Sequence, residues 1–137
     1  MQARNAGAVL GSRIHVSRAS GMLLLGDLLA IGAFVVAGEI RHGRPVAAGA
    51  LTFAEFAAGW LLAAAVVGAY AANATASLRR TVLLAGGGWL LGASIGQLIR
   101  AVLEPGFYVA PTFYLVALGV GGALLVGWRL LARALLR

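Results

Sequence analysis

Few side chains in this sequence could carry chemistry, and the most informative of them is an acid inside an apolar segment. Asp27 interrupts a run rich in leucine, isoleucine, valine and phenylalanine between residues 21 and 38. An aspartate near the centre of a membrane helix costs about 2.5–3.5 kcal/mol, whereas each large aliphatic residue or phenylalanine returns only about 0.3–0.6 kcal/mol. The segment is marginal alone, so we expect Asp27 to face a bundle or a hydrated cavity and to meet a hydrogen-bond donor.

Arg129 is the donor that helical geometry favours. Asp27 lies about 9 Å from the start of its segment by helical rise. Arg129 follows the last apolar segment of the chain, and its long side chain can extend back to that depth, near Tyr70 and Trp89. We therefore predict an Asp27–Arg129 pair. Two interpretations stay open: the pair fixes helix register only, or Asp27 handles an ion, a proton or a solute.

A second pattern is a glycine stripe that ends in a cation. Four residues recur at a spacing of four, which places them on one helix face: Gly88, Gly92, Gly96 and Arg100. Such a stripe favours close packing of membrane helices, and the alternative is a glycine-lined passage that leads an anion or a polar solute to Arg100. Similar stripes of small residues are Gly119, Ala123 and Gly127, and Ala64, Gly68 and Ala72. Helix packing is the predicted role of Gly119 and Gly127.

The remaining polar side chains predict structural roles. Ser94 and Gln97 should hydrogen-bond across helices for about 1 kcal/mol or less each, and Trp89 should bury its indole N–H against a partner. Three glutamates fall near one interface, where exposed carboxylates are ordinary: Glu39, Glu55 and Glu104. The chain has no cysteine, and His15 and His42 share no metal-ligand spacing. We expect no enzyme, no metal and no cofactor.

The elements that must position these residues are four membrane-spanning helices. Hydrophobic residues make up 61% of the 137 residues and charged residues only 11%, against roughly 25% charged in a soluble domain. Lipid requires backbone groups to be satisfied within a segment, so each apolar run is predicted to be a helix. The spans are 21–38, 52–72, 81–99 and 110–128. The prediction is an all-α, compact four-helix membrane domain over 21–137, preceded by a basic arm over 1–20.

Arginine distribution predicts the orientation. Eleven Arg and no Lys give, with four acids, a net charge of +7. Eight arginines flank the side that holds both termini, and the other side holds Arg41, Arg44 and Arg100. The positive-inside rule therefore places both termini in the cytoplasm. Because the arginines flank spans and form no single basic face, nucleic acid is not expected as a partner. A cleaved signal peptide is disfavoured because Asp27 interrupts the first run and three more spans follow.

Three stretches together resemble a family of small membrane proteins. They are Gly26-Asp27-Leu28-Leu29-Ala30 with Phe34 and His42-Gly43; Trp89 with Gly92, Gly96 and Arg100; and Pro111, Phe113 and Val116 with Gly127-Trp128-Arg129. In this order the stretches resemble the family called domain of unknown function 3054, four-helix membrane proteins of bacteria and archaea. The resemblance implies the fold and a prokaryotic cytoplasmic membrane. It implies no activity.

Two classes of function follow as the main expectations; a membrane enzyme is a third and weaker one, since no pair of groups has acid–base or metal-ligand spacing. In the first, an oligomer handles a small solute, an ion or a proton at Asp27, with Arg100 and Arg129 as fixed charges. Four spans are few for a transporter, so this class requires a homo-oligomer. In the second, the protein is a non-catalytic partner of another membrane protein or a lipid, which it contacts through its small-residue faces and basic ends.

Overall fold

The structure is a computed structural model in which residues 12–104, 106 and 111–137 are described, so that Arg4, Pro105 and Tyr108 lie outside the described residues. Four long helices follow one another: α1 Arg18–Arg41, α2 Ala50–Val67, α3 Leu78–Leu103 and α4 Pro111–Leu135. A 3₁₀ turn, Val46–Gly49, leads into α2. Each helix is long and apolar enough to cross a membrane. The predicted all-α, four-span membrane fold is confirmed.

The second helix ends earlier than predicted. Gly68 adopts φ +80, the left-handed conformation that terminates helices, and its N–H donates to the carbonyl of Ala64. The predicted span to residue 72 is therefore wrong, and Tyr70 lies in the connection to α3. Residues 68–77 meet the two ends of the described chain, because His15, Tyr70 and Leu136 line one small pocket.

The other helices extend beyond the predicted spans into polar residues. Ser17 begins α1 with a capping box, in which Ser17 and Ser20 each accept a hydrogen bond from the other's backbone N–H. Ser77 caps α3 with a single hydrogen bond, which its side chain accepts from the Arg80 N–H. The caps satisfy backbone groups that would otherwise be exposed at the helix ends. The arm predicted over 1–20 thus gives its last three residues to α1.

Helices α2 and α3 pack most closely because glycines face each other across their contact. A Cβ built on Gly92 would lie 3.0 Å from the Trp60 Cα, and one on Gly96 would lie 3.2 Å from the Glu55 carbonyl oxygen. A Cβ on Gly59 would come within 3.1 Å of the Gly96 Cα. No side chain fits between these backbones. The stripe is therefore a packing surface against α2, and the alternative of a glycine-lined passage is not what the structure shows.

The fourth helix contains a π-helical segment, Ala117–Gly121. The Trp89 Nε1 donates to the Ala117 carbonyl oxygen at 2.9 Å, which is the buried partner expected for this indole. The ring lies against Gly121, where a Cβ would come within 2.6 Å of Trp89 Cζ2. A π-helical turn leaves a carbonyl free for such a bond. The segment thus fixes the contact of α4 with α3.

Two glycines of α4 for which helix packing is predicted lie on its outer face. Gly119 and Gly127 are exposed, and nothing lies within 4 Å of a Cβ built on either residue. Within the described bundle neither glycine packs against another helix, so packing against a second copy of the chain stays a prediction. The stripe of Gly119, Ala123 and Gly127 faces outward because Trp89 and Arg129 occupy the inner side of α4.

Candidate functional site: a closed and an open polar level

The carboxylate of Asp27 is paired with the guanidinium of Arg129, as the sequence predicts. Arg129 Nε donates to Asp27 Oδ1 at 2.8 Å, and Arg129 Nη2 donates to Oδ2 at 2.6 Å. Both residues are buried, with relative exposures of 0% and 2%. Two parallel charge-assisted hydrogen bonds are the strongest arrangement that these groups can form. The pair joins the first helix to the last.

Two aromatic residues complete the hydrogen bonding of the acid. The Tyr70 hydroxyl donates to Asp27 Oδ2 at 2.5 Å, and the same hydroxyl oxygen accepts a hydrogen bond from Trp60 Nε1 at 3.0 Å. Arg129 Nη1 donates to the Ala69 carbonyl oxygen at 2.7 Å. The left-handed turn at Gly68 brings Ala69 and Tyr70 back into the bundle, which a helix continuing to residue 72 would not do. We call these residues the Asp27 network: Asp27, Trp60, Ala69, Tyr70 and Arg129.

The Asp27 network is closed. Both carboxylate oxygens and all three guanidinium nitrogens have partners, and the guanidinium carbon lies 4.9 Å from the centre of the Tyr70 ring. Beside it, Gly26 lies directly under the indole of Trp128, whose Nε1 donates to the Leu23 carbonyl oxygen. Both oxygens of the Asp27 carboxylate are thus engaged by side chains of the network. The network can hold three helices and one connection in register, which is the structural interpretation of the pair.

Tyr70 remains protonated in this environment. Burial raises the pKa of its hydroxyl well above the ordinary value, and the neighbouring Asp27 carboxylate raises it further. A protonated hydroxyl is the form that donates to the carboxylate. The N-terminal segment also holds Tyr70, because the His15 N–H donates to the Tyr70 carbonyl oxygen at 2.8 Å. The connection is thus fixed from two sides.

A second polar level lies near the opposite end, and it differs from the prediction of exposed glutamates. Glu39 and Glu55 are 3% and 2% exposed, so the prediction is wrong for both. Glu39 accepts a hydrogen bond from Arg44 Nη2 at 2.7 Å. The carboxylates are buried because the close α2–α3 contact and the 3₁₀ turn cover them; a Cβ on Gly49 would lie 3.0 Å from Glu39 Cγ.

Glu55 has no hydrogen-bond partner at either oxygen. The nearest cation is Arg100, whose Nε lies 3.9 Å from Glu55 Oε2. The same nitrogen donates to Glu104 Oε2 at 3.1 Å, and the guanidinium carbon lies 5.3 Å from the centre of the Phe113 ring. A distance of 3.9 Å is too long for a hydrogen bond. The ionised carboxylate would be held by charge alone.

Gln97 directly follows Gly96, the glycine whose added Cβ would lie 3.2 Å from the Glu55 carbonyl oxygen. Its amide is 2% exposed, and neither the nitrogen nor the oxygen has a partner. The predicted hydrogen bond across helices is therefore absent for Gln97, whereas Ser94 Oγ contacts the Tyr114 hydroxyl at 2.5 Å. We call this level the Glu55 cluster: Glu55, Gln97, Arg100 and Glu104.

The two polar levels differ in whether their buried polar atoms have hydrogen-bond partners. Among the residues that the structure describes, the buried side-chain polar atoms without a partner all belong to Glu39, Glu55 and Gln97, with the single exception of Arg133 Nε. The Asp27 network has none. A signal for Glu55 was available in the sequence, since this acid falls inside the predicted second span. Because Glu55 lies only three residues after the start of that span, its position favours an interfacial interpretation.

Comparison with known proteins gives a match to a protein family. The family described as "Protein of unknown function (DUF3054)" matches residues 24–132, which include α1 from its second turn and most of α4. Neither the curated proteins nor the solved structures give a match. The matched range contains Asp27, Arg129 and every residue of the Glu55 cluster. This chain of four membrane-spanning helices belongs to the DUF3054 family of proteins of unknown function.

Proposed function

We propose that this membrane protein handles a proton or a small cation, and that the Glu55 cluster, not Asp27, is the working site. The observation that carries the proposal is the carboxylate of Glu55, which is buried within a membrane-spanning helix and accepts no hydrogen bond. An intramembrane acid without a partner costs several kcal/mol. Such groups lie on the paths of ions and protons in membrane proteins.

The position of Glu55 suits exchange with water. Glu55 is five residues after the start of α2, about 8 Å along the helix by its rise. Glu104 at the end of α3 is partly exposed, with 29% of its side chain accessible, and shares Arg100 with Glu55. A continuous set of charged groups thus extends from the surface of the bundle to the buried carboxylate.

The geometry gives no support to Asp27 as the titrating centre. Its oxygens accept three hydrogen bonds in a site with no exposure, and releasing Arg129 would break a buried pair at a cost of about 3–5 kcal/mol. Asp27 therefore serves as scaffold in this proposal. The scaffold holds α1 and α4 against the α2–α3 pair on which the Glu55 cluster is built.

The test is flux in proteoliposomes that contain a pH-sensitive dye in one preparation and a sodium- or potassium-sensitive dye in another. Wild-type protein is expected to dissipate an imposed gradient of one of these ions, and Glu55→Gln, which keeps the size of the side chain, is expected to stop that flux. Asp27→Asn is the matched control, with flux retained per folded molecule. Equal flux in wild type and Glu55→Gln would contradict the proposal.

A second candidate is assembly with another copy of this chain through α4. Gly119 and Gly127 are open on the outer face, and a groove of about 430 Å³ between α1 and α4 includes Gly26, Gly127 and Trp128 in its apolar lining. Small residues permit close backbone approach between membrane helices. Such a contact would also supply the additional spans that an ion path between four helices lacks.

A further inference from the structure

We infer that the ligand of Glu55 is a proton and that Arg100 is an exchangeable counter-ion, shared between Glu55 and Glu104. This inference rests on the proposed function and names its substrate. The sharing is visible in the geometry, since Arg100 Nε is hydrogen-bonded to Glu104 Oε2 at 3.1 Å and stands 3.9 Å from Glu55 Oε2. One guanidinium therefore faces two carboxylates and satisfies only one of them.

A metal cation is a poor occupant of this site. Hard cations take about six or more oxygen ligands at short distances, and no group of three acidic or histidine side chains within residues 12–104 and 111–137 could hold one. The guanidinium of Arg100 would repel a cation at Glu55. A proton needs a single oxygen lone pair, and both oxygens of Glu55 are without a hydrogen-bond partner.

The charges of the cluster balance when one proton is present. Ionised Glu55 and Glu104 with Arg100 sum to −1, and one H⁺ bound to a Glu55 oxygen brings the sum to zero. In that state Glu55 is a neutral acid and Arg100 stays on Glu104; the observed hydrogen bond of Arg100 to Glu104 and the absence of one to Glu55 fit this state. Glu39, the other buried acid at this end, already has Arg44 as its counter-ion.

Release of the proton would move the guanidinium. When the O–H bond of Glu55 breaks and H⁺ passes to water, the new carboxylate attracts Arg100 Nε across the remaining 3.9 Å. Arg100 then leaves Glu104 to the solvent, where 29% of that side chain is already exposed. Gln97, three residues before Arg100, offers an unpartnered donor and acceptor to the water that carries the proton. No oxidant, reductant or metal enters the cycle.

Infrared difference spectroscopy of the full chain in lipid nanodiscs tests the inference through the stretching band of a protonated carboxyl group. We expect wild type to show a band that is lost in Glu55→Gln and retained in Asp27→Asn. Glu104→Gln removes the negative charge that competes with Glu55 for Arg100, which favours pairing of Arg100 with Glu55. The band should then disappear at a pH roughly one unit lower than in wild type, a tenfold change in proton affinity.

Three results would overturn the inference: a band that persists in Glu55→Gln, an unchanged titration in Glu104→Gln, or displacement of the band by sodium or potassium chloride at constant ionic strength. Failure of the proposed function would give a different set of results. In that case the band and its shift are present, yet vesicles containing wild-type protein pass neither protons nor cations. Flux of a metal cation without a Glu55 band would instead keep the function and remove the proton as its substrate.

Discussion

At the scale of residues, two acids in membrane-spanning helices have opposite surroundings. Asp27 accepts three hydrogen bonds from Arg129 and Tyr70, whereas Glu55 accepts none. The sequence predicts the first pair because insertion energy and helical depth both demand a donor for Asp27. The sequence places Glu55 inside the second span, but it does not reveal that the carboxylate is buried, because that burial depends on the α2–α3 contact. It does not place Tyr70 because the turn at Gly68 cannot be told from a continuing apolar helix.

Arg129→Lys tests whether the shape of the guanidinium, and not only its charge, holds the network. Lysine keeps the charge but cannot form the two parallel bonds to Asp27 together with the bond to the Ala69 carbonyl. We expect the free energy of unfolding to fall by roughly 2–4 kcal/mol, since net hydrogen bonds to charged groups contribute about 1.5–3 kcal/mol each. Reversible denaturation in mixed micelles measures the change. A loss within about 0.5 kcal/mol, typical of surface substitutions, would contradict the network.

Tyr70 gives the stability a predictable dependence on alkaline pH. The folded protein holds the Tyr70 proton more tightly than the unfolded chain, whose tyrosines ionise near pH 10. The folded state therefore binds more protons above that pH, and its stability must fall as the pH rises past about 10. We expect Tyr70→Phe to be less stable than wild type at pH 8 and to show a smaller further loss at alkaline pH. Parallel curves for both proteins would show that Tyr70 does not cause the effect.

At the scale of elements, the small-residue stripes of α3 and α4 show what residue spacing can and cannot predict. The spacing of Gly88, Gly92 and Gly96 predicts a smooth face, and the structure shows that face against α2. The same pattern on α4 predicts packing for Gly119 and Gly127, which face outward instead. Spacing alone does not say which side of a helix faces the bundle. Here the side is decided by Trp89 and Arg129, whose buried bonds rotate α4.

A matched pair of substitutions tests this difference between stripes. Gly96→Leu places a side chain against the Glu55 carbonyl and the Phe56 ring, where even a Cβ would lie at 3.0–3.2 Å. Overpacking of this kind costs about 1–3 kcal/mol or more. Gly119→Leu enters open space, so its effect on the monomer should be small. Thermal unfolding of both variants at low protein-to-lipid ratio measures the contrast, and equal destabilisation would be inconsistent with the packing described.

At the scale of the whole molecule, four spans provide two polar levels, and the outer face of α4 carries a stripe of small residues. The helical architecture follows from composition and from the apolar runs alone, as the four observed helices show. Arginine distribution predicts that both termini are cytoplasmic, which stays a prediction. We propose the outer face of α4 as the surface to which a second copy of the chain is added.

Cysteine cross-linking tests that assembly cleanly because the chain has no cysteine of its own. Ala123→Cys lies between Gly119 and Gly127 on the outer stripe of α4, whereas Leu83→Cys lies on α3 at a position 57% exposed. We expect an oxidant to convert Ala123→Cys in native membranes to a disulfide-linked dimer and to leave Leu83→Cys monomeric. Equal yields from both positions would indicate random collision and remove α4 as the assembly face.

The opposite roles of the two buried acids are tested most directly by the thermal stability of two variants in the same nanodiscs. Asp27→Asn should lower the melting temperature by several degrees, because it leaves the buried guanidinium of Arg129 without a counter-ion. Glu55→Gln should leave the melting temperature unchanged or raise it, because it removes a carboxylate that has no hydrogen bond. If Glu55→Gln destabilises the protein as much as Asp27→Asn does, the distinction between a fully hydrogen-bonded Asp27 and a Glu55 without hydrogen bonds is wrong.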